Sequence, residues 1–276
     1  MRSNIAFHLA VLARLGAGVF LIGSLALGLA MIVAQAQAAQ GQPPPIHVIE
    51  IKGVINPLTA RYLERALAGA EREGAGLLVM RLDTPGGLDT AMREMTQAML
   101  AARLPVVVYV APPGARAASA GMFLTLAAHV AAMAPGTNIG AAHPVGLGEQ
   151  LDEVMSRKIA QDATALARTL AAERSRNADW AEQAVLESAS LTSAEALELG
   201  VVEIIAVDMN DLLAQLDGRI VTTAAGEVTL HTRGAAVVDA PMNFARSKSC
   251  WPWMARNTHW RRPISSVICR CQRVAK

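Results

Sequence analysis

The stretch Pro112-Pro113-Gly114-Ala115-Arg116-Ala117-Ala118-Ser119-Ala120-Gly121 decides how the rest of this chain is interpreted. The apolar residues 106–111 before it predict a buried strand, and residues 122–128 after it predict a helix. A serine on such a turn, with only alanines beside it, can be approached closely by another backbone. The first N–H groups of the helix have no partner within the helix and can bind a developing negative charge. This pattern suits a nucleophilic hydroxyl beside an oxyanion hole, and it also suits a serine that only caps the helix, which is the commoner role at such a turn.

Composition limits the classes of function. The 276 residues are 53% hydrophobic, which is enough for one sizeable domain. Their net charge of +2 gives no reason to expect a nucleic acid partner. All three cysteines, Cys250, Cys269 and Cys271, lie near the C-terminus, so no disulfide can link parts of the main body. We expect no cofactor and no metal site.

The two ends of the chain differ from its middle. Basic Arg2 and Arg14, the uncharged residues 15–34 and the small-residue pattern Ala36-x-Ala38 predict that residues 1–39 are a secretory signal peptide or an uncleaved membrane anchor. In both cases the following domain is expected on the extracytoplasmic, periplasmic side. A cleaved signal peptide would leave it exported, and an uncleaved anchor would keep it associated with the membrane. Residues 40–45 are expected to be a linker, and residues 239–276 a disordered tail.

Residues 46–238 predict one α/β domain, because strand-like and helix-like segments alternate there as in βαβ units. The predicted strands are residues 47–51, 76–82, 106–111, 130–134 and 201–207. The predicted helices are residues 58–72, 89–102, 119–129, 155–174, 180–187, 193–199 and 210–216, and a hairpin is expected within residues 220–231. Residues 135–151 are rich in glycine and proline and predict a long, functional loop.

A second motif, Asp83-Thr84-Pro85-Gly86-Gly87, ends the second predicted strand. The carboxyl ends of parallel strands are where α/β domains usually bind ligands, and glycines leave N–H groups open to a substrate carbonyl. The alternative is a proline-glycine turn that only reverses the chain. Asp83 is expected to support this turn rather than to act as the acid of a catalytic triad.

Ser119 needs a base, and three residues are candidates. His129 lies along the same predicted helix, ~15 Å away by helical rise, and cannot reach Ser119. His143 lies in the loop 135–151, which can fold back beside the serine. Lys158 lies on the first turns of the next helix, but a lysine acts as a base only if burial lowers its pKa from about 10.4. The residues alone leave both His143 and Lys158 open.

Together these motifs resemble the ClpP/crotonase-type α/β superfamily and, more closely, the membrane-associated serine proteases of the NfeD family, which are partners of stomatin-like proteins. The resemblance covers roughly residues 46–238. It rests on Asp83-Thr84-Pro85-Gly86-Gly87, on Gly114 through Gly121, on Met133-Ala134-Pro135-Gly136-Thr137-Asn138-Ile139-Gly140-Ala141, on the segment from Lys158 to Arg176-Asn177, and on Leu191 through Val202.

The resemblance implies a layered fold of repeated βαβ units and a Ser–Lys dyad that maps onto Ser119 and Lys158. The oxyanion hole of the superfamily maps onto Gly86, Gly87 and the backbone N–H of Ala120. His143 stays the alternative base, since ClpP itself uses a histidine about this far after its serine. The implied substrates are apolar peptides, such as a segment of a stomatin-like membrane protein, and the implied active form is a homo-oligomer.

One part of the chain departs from this family. Long NfeD proteins continue into membrane spans and a small β-barrel domain, whereas the sequence from Ser249 onward resembles neither, as a frameshift or truncation would explain. Two other functions stay open: a crotonase-like enzyme acting on acyl-CoA thioesters, and a non-catalytic ClpP-like scaffold that binds a membrane partner.

Overall fold

The computed structural model describes residues 43–144 and 152–242. The predicted signal peptide or anchor, the end of the loop 135–151 and nearly all of the predicted tail therefore lie outside the described residues.

Strands and helices alternate along the described residues, as the sequence predicts. Their bounds are β1 (Ile46–Lys52), α1 (Pro57–Arg72), β2 (Leu77–Asp83), α2 (Asp89–Leu100), β3 (Val106–Val110), β4 (Arg116–Ala118), α3 (Ala120–Ala127), β5 (Val130–Met133), β6 (Asn138–Gly140), α4 (Glu153–Glu173), α5 (Ala178–Leu186), β7 (Ser190–Thr192), α6 (Ser193–Glu198), β8 (Ile204–Ile205), α7 (Met209–Leu216), β9 (Ile220–Thr223), β10 (Gly226–Thr229) and β11 (Val237–Asp239). The predicted hairpin is the antiparallel pair of β9 and β10.

The main sheet has six strands in the order β11-β1-β2-β3-β5-β8, and every neighbouring pair is parallel. Its two faces bury separate apolar clusters. Leu78, Met80 and Leu82 of β2 face the larger cluster, which is shared with α1 to α6. Leu77 and Val79 face the smaller cluster, under α7 and the β9–β10 hairpin. Burial on both faces explains why the central strands are continuous apolar runs.

A second, three-stranded sheet was not predicted. In it β4 pairs parallel with β6, and β6 pairs antiparallel with β7. Each of these strands has three residues, which is too short to show an alternating pattern. β6 lies inside the predicted loop 135–151. This small sheet joins the main one where Thr84 pairs with Ala117.

Several predicted boundaries differ from the structure. The strand predicted over residues 201–207 is reduced to Ile204–Ile205. At the other end, β11 continues to Asp239, and the N–H of Ala240 donates to the carbonyl of Val48 at 2.8 Å. The hydroxyl of Tyr62 donates to the carbonyl of Ala240. Ordered packing therefore extends past the predicted domain end at Val238.

Candidate active site

Ser119 lies at the junction of β4 and α3 with φ of 50° and ψ of −115°. A positive φ is uncommon for a residue with a side chain and costs on the order of 1–3 kcal/mol. Its side chain makes no capping hydrogen bond, so the hydroxyl does not serve as a helix cap. The backbone is held by the Ser119 N–H, which donates to the carbonyl of Gly140 at 2.9 Å. The backbone of Ser119 thus departs from the conformation that an ordinary helix-capping residue adopts.

Two glycines allow the close packing around Ser119 that the sequence predicts. A Cβ added to Gly86 would lie 2.7 Å from Ser119 Cβ and 3.2 Å from Ser119 Oγ. A Cβ on Gly121 would lie 2.5 Å from the methyl carbon of Thr84. The end of β2 and the start of α3 are therefore in direct contact, and side chains at these glycines would separate them.

The Gly86-Gly87 turn is fixed by the loop before α1. The N–H of Ile55 donates to the Gly86 carbonyl at 2.8 Å, and the N–H of Leu88 donates to the Ile55 carbonyl at 2.9 Å. A Cβ on Gly87 would lie 2.1 Å from the carbonyl oxygen of Ile55, so only glycine fits this position.

The three predicted oxyanion donors are not equivalent. The N–H of Gly86 already donates to the hydroxyl of Thr84 at 3.0 Å. Within residues 43–144 and 152–242, the N–H groups of Gly87 and Ala120 have no acceptor. Gly87 follows the glycine that touches Ser119, and Ala120 follows Ser119 itself. Two backbone donors close to the hydroxyl are thus available to a substrate oxygen.

Lys158 lies on an exposed part of α4. Residues 152–159 are all exposed, and burial begins at Ala160. The far end of α4 is tied to the end of α3, because Nε of Arg174 donates to the carbonyl of Ala127 at 3.3 Å. Since α4 has 21 residues and α3 has 8, the first turns of α4 extend beyond the residues of α3. In the described part of the chain, no hydrogen bond joins the hydroxyl of Ser119 to Lys158.

His143 is held elsewhere. Its Nδ1 lies 3.0 Å from the carbonyl oxygen of Val185, near the end of α5. A carbonyl oxygen only accepts, so Nδ1 donates and Nε2 carries the lone pair. No hydrogen bond to Ser119 is found for this ring either, among the residues that the structure describes. The single chain therefore leaves the choice between the two bases open.

Comparisons with known proteins place this geometry in a family. Residues 45–224 match the family model described as NfeD1b, N-terminal domain. The chain belongs to the NfeD1b family.

Two curated relatives support this assignment. The chain is 41% identical over 175 residues to membrane-bound protease PH1510 of Pyrococcus horikoshii, a match that covers 63% of this chain and 40% of the relative. It is 31% identical over 137 residues to membrane protein NfeD1b of Bacillus subtilis, covering 49% of this chain and 29% of the relative. The chain thus spans less than half the length of these relatives.

Solved structures of the Pyrococcus horikoshii protease domain have the same fold. One is a lysine-to-alanine mutant of a membrane-bound stomatin-specific protease in complex with a substrate peptide; it has a TM-score of 0.68 and 36% identity and covers 73% of this chain and 94% of the other. A serine-to-alanine mutant gives a TM-score of 0.67 and 36% identity, with coverage of 72% and 98%. These matches confirm the predicted ClpP/crotonase-like α/β fold.

Two further polar residues of this NfeD1b domain have structural roles. His129 is buried at the end of α3 opposite to Ser119, and its Nδ1 accepts from the N–H of Val106 at 3.1 Å. Burial, and then the charges of Arg174 and Arg176, lower the pKa of His129 from 6.5 to about 4. Asp83 accepts a hydrogen bond from the N–H of Arg116 at 3.3 Å, so it supports β4.

A cleft of about 690 Å³ lies at the other end of β4 and does not include Ser119. It is lined by residues just before β4, by residues before and within β6 and by α6, among them Gly114, Gly136, Thr137 and Leu197.

Across residues 43–144 and 152–242, no group of three or more His, Cys, Asp or Glu side chains could hold a metal ion. No helix in the same ranges is long and apolar enough to cross a membrane.

Proposed function

We propose that this domain is a serine endopeptidase that cleaves apolar peptide segments with a Ser119–Lys158 dyad. The observation that carries the proposal is the strained turn at Ser119, which packs against Gly86, together with the unbonded N–H groups of the residues that follow these two in sequence, Ala120 and Gly87. The names of the relatives support it, since one is called a membrane-bound protease and its solved domain is called stomatin-specific.

The proposed reaction is acyl transfer in two stages. Ser119 Oγ attacks the peptide carbonyl carbon while its proton passes to the neutral amine of Lys158. The carbonyl oxygen becomes negative and accepts hydrogen bonds from Gly87 and Ala120. The C–N bond then breaks, and the Lys158 ammonium gives its proton to the leaving amine. A water molecule, deprotonated by Lys158, attacks the acyl ester and releases Ser119.

Lys158 can act as a base only if another molecule shields its amine from water, because a lysine amine is neutral near pH 7 only when it is desolvated. The first turns of α4 carry exposed apolar side chains around it: Val154 is 60% exposed, Met155 46% and Ile159 37%. We infer that an apolar substrate, together with a second copy of this chain in a homo-oligomer, lies over these turns. His143 remains the alternative base.

The biological partner follows from the relatives. The solved domain is named as specific for a stomatin homologue. We propose that this chain likewise cleaves an apolar segment of a stomatin-like membrane protein, and that it works at the membrane on the extracytoplasmic side.

The test is cleavage of apolar peptides by the full chain, with sedimentation of the same sample to give the oligomeric state. We expect Ser119→Ala and Lys158→Ala to lose cleavage by at least ~1000-fold, in the range seen when a catalytic dyad member is removed. Lys158→Arg should be equally inactive, because it keeps the charge but cannot release a proton. The neighbouring Arg157→Ala and Ser156→Ala are matched controls and should keep wild-type rates.

Three other outcomes would assign the function differently. Loss of cleavage in folded His143→Ala, with Lys158→Ala active, would make histidine the base. Binding and turnover of acyl-CoA thioesters would favour the crotonase-like reaction. Absence of cleavage by the folded wild type, with partner binding unchanged in Ser119→Ala, would favour a non-catalytic scaffold.

A further inference from the structure

Thr84 belongs to the motif Asp83-Thr84-Pro85-Gly86-Gly87, and no role for it was predicted from the sequence. It is fully buried between the end of β2 and β4. Its hydroxyl donates to the Gly86 carbonyl at 3.1 Å and accepts from the Gly86 N–H at 3.0 Å. Both polar groups of Gly86 are therefore bonded to one side chain.

The backbone of Thr84 holds the strand that leads to the nucleophile. Its N–H donates to the Arg116 carbonyl at 2.7 Å, and its carbonyl accepts from the Ala118 N–H at 3.1 Å. Its methyl group lies against Gly121, where a Cβ would come within 2.5 Å. One buried residue thus connects the glycine turn on one side with the β4–Ser119–α3 segment on the other.

We propose that Thr84 is a positioning residue that sets the oxyanion hole. Its hydroxyl turns the Gly86 N–H inward, and this orientation leaves the next N–H, that of Gly87, free to face the substrate. Glycine at position 86 has φ of +115° and few steric limits of its own, so the orientation of its peptides depends on its hydrogen bonds: the Ile55 N–H holds the carbonyl, and the Thr84 hydroxyl holds both the carbonyl and the N–H. The proposal rests on the serine protease function proposed above and narrows the oxyanion donors to Gly87 and Ala120.

The experiment uses the full chain with three variants. Thr84→Val removes the hydroxyl and keeps the methyl contact with Gly121, whereas Thr84→Ser keeps the hydroxyl. Thr232→Val is the matched control, because Thr232 is also buried and its hydroxyl also donates to a backbone carbonyl, that of Leu213. Peptide cleavage is measured as kcat and KM separately, and the affinity for a peptide aldehyde reports on the tetrahedral adduct.

We expect Thr84→Val to lower kcat by ~10- to 100-fold, less than the ~100- to 1000-fold of deleting an oxyanion donor, because the Gly87 N–H is displaced and not removed. Aldehyde binding should weaken, and KM should change less than about three-fold. Thr84→Ser should restore kcat to within about three-fold, and Thr232→Val should leave both constants unchanged. A loss confined to KM, or an equal loss in Thr232→Val, would overturn the proposal.

Amide hydrogen exchange at Gly86 and Gly87 tests the role of Thr84 without an activity assay. In the wild type the Gly86 amide should exchange slowly and the Gly87 amide rapidly, and Thr84→Val should release Gly86 alone. A rapidly exchanging Gly86 in the wild type would overturn the proposal even if Thr84→Val does not fold. If the wild type cleaves nothing, the protease function fails, while exchange at these two amides still tests the role of Thr84.

Discussion

Ser119 has a positive φ, which is unfavourable for a residue with a side chain, and contacts with neighbouring residues maintain this conformation. The Gly140 carbonyl holds its N–H, and Gly86 and Gly121 leave no side chain between β2 and α3. Strain of this kind persists only where surrounding contacts determine the backbone. These contacts therefore keep Ser119 packed against the Gly86-Gly87 turn.

Gly86→Ala tests this contact. The new Cβ would lie 2.7 Å from Ser119 Cβ in a backbone with φ of +115°, so either the turn or the serine must move. We expect cleavage to fall by at least ~100-fold, since a shift of about 1 Å at a reacting group has that effect. Gly114→Ala is the control, because its φ is +88° but open space surrounds its Cβ. It should lose about 1 kcal/mol of stability and keep its activity. Equal loss of activity in both variants would contradict this account.

Helix α3 has opposite features at its two ends. At its start no side chain caps the N–H groups. At its end the Arg176 guanidinium donates to the carbonyls of Thr125 and Leu126 at 3.0 and 2.7 Å. Cations favour the C-terminal end of a helix and a developing anion favours its N-terminal end. The short helix is thus anchored by arginine and left open towards substrate.

Arg176→Ala should be strongly destabilising. The Arg176 side chain is 1% exposed and forms two bonds to the Glu203 carboxylate, at 2.7 and 2.9 Å. Its removal leaves the Glu203 carboxylate with the Ala131 N–H but without its cationic partner, and it takes a donor away from two helix carbonyls, at a cost of about 3 kcal/mol. Urea unfolding measures the loss. Arg168→Ala, which breaks ion pairs whose arginine is 46% exposed and screened by water, should lose far less stability than Arg176→Ala. If the two variants lose equal stability, the Arg176 contacts do not anchor α3.

At the scale of the whole molecule, folding buries a titratable side chain, that of His129. His129 lies between α3 and β5, beside Arg174 and Arg176, and its pKa is lowered to about 4. Between pH 6.5 and 4 the unfolded chain takes up a proton that the folded chain does not. The stability that this histidine contributes is therefore complete above pH 6.5 and is lost as the pH falls towards 4.

Urea midpoints between pH 4 and 7 measure this dependence. The wild type should lose up to ~1.4 kcal/mol per pH unit from this single group. His129→Asn should flatten the slope, because the amide oxygen can still accept from the Val106 N–H but cannot be protonated. His231→Asn removes an exposed imidazole and should leave the slope unchanged. An unchanged slope in His129→Asn would assign the acid sensitivity to other groups.

The sequence by itself determined the main sheet and the serine. Val106–Val110 and residues 77–80 are apolar on both faces, so local pattern is enough to predict buried strands there. The sequence also located the Ser119 turn and the Gly86-Gly87 turn at the ends of strands, although the residues alone left a helix cap and a simple chain reversal as alternatives. The domain could be assigned a fold from these segments alone.

Only the tertiary structure decided which groups meet. The strands β4, β6 and β7 are too short to carry a pattern, and they form because Thr84 and Gly140 offer them partners far along the chain. The bond from the Gly86 N–H to the Thr84 hydroxyl, on which the proposed choice of Gly87 over Gly86 rests, is one that no spacing rule reveals. The exposure of Lys158 likewise depends on how far the first turns of α4 extend beyond α3. Hydrogen bonds and burial between distant residues are properties of the folded arrangement, whereas periodicity records only the environment of each segment.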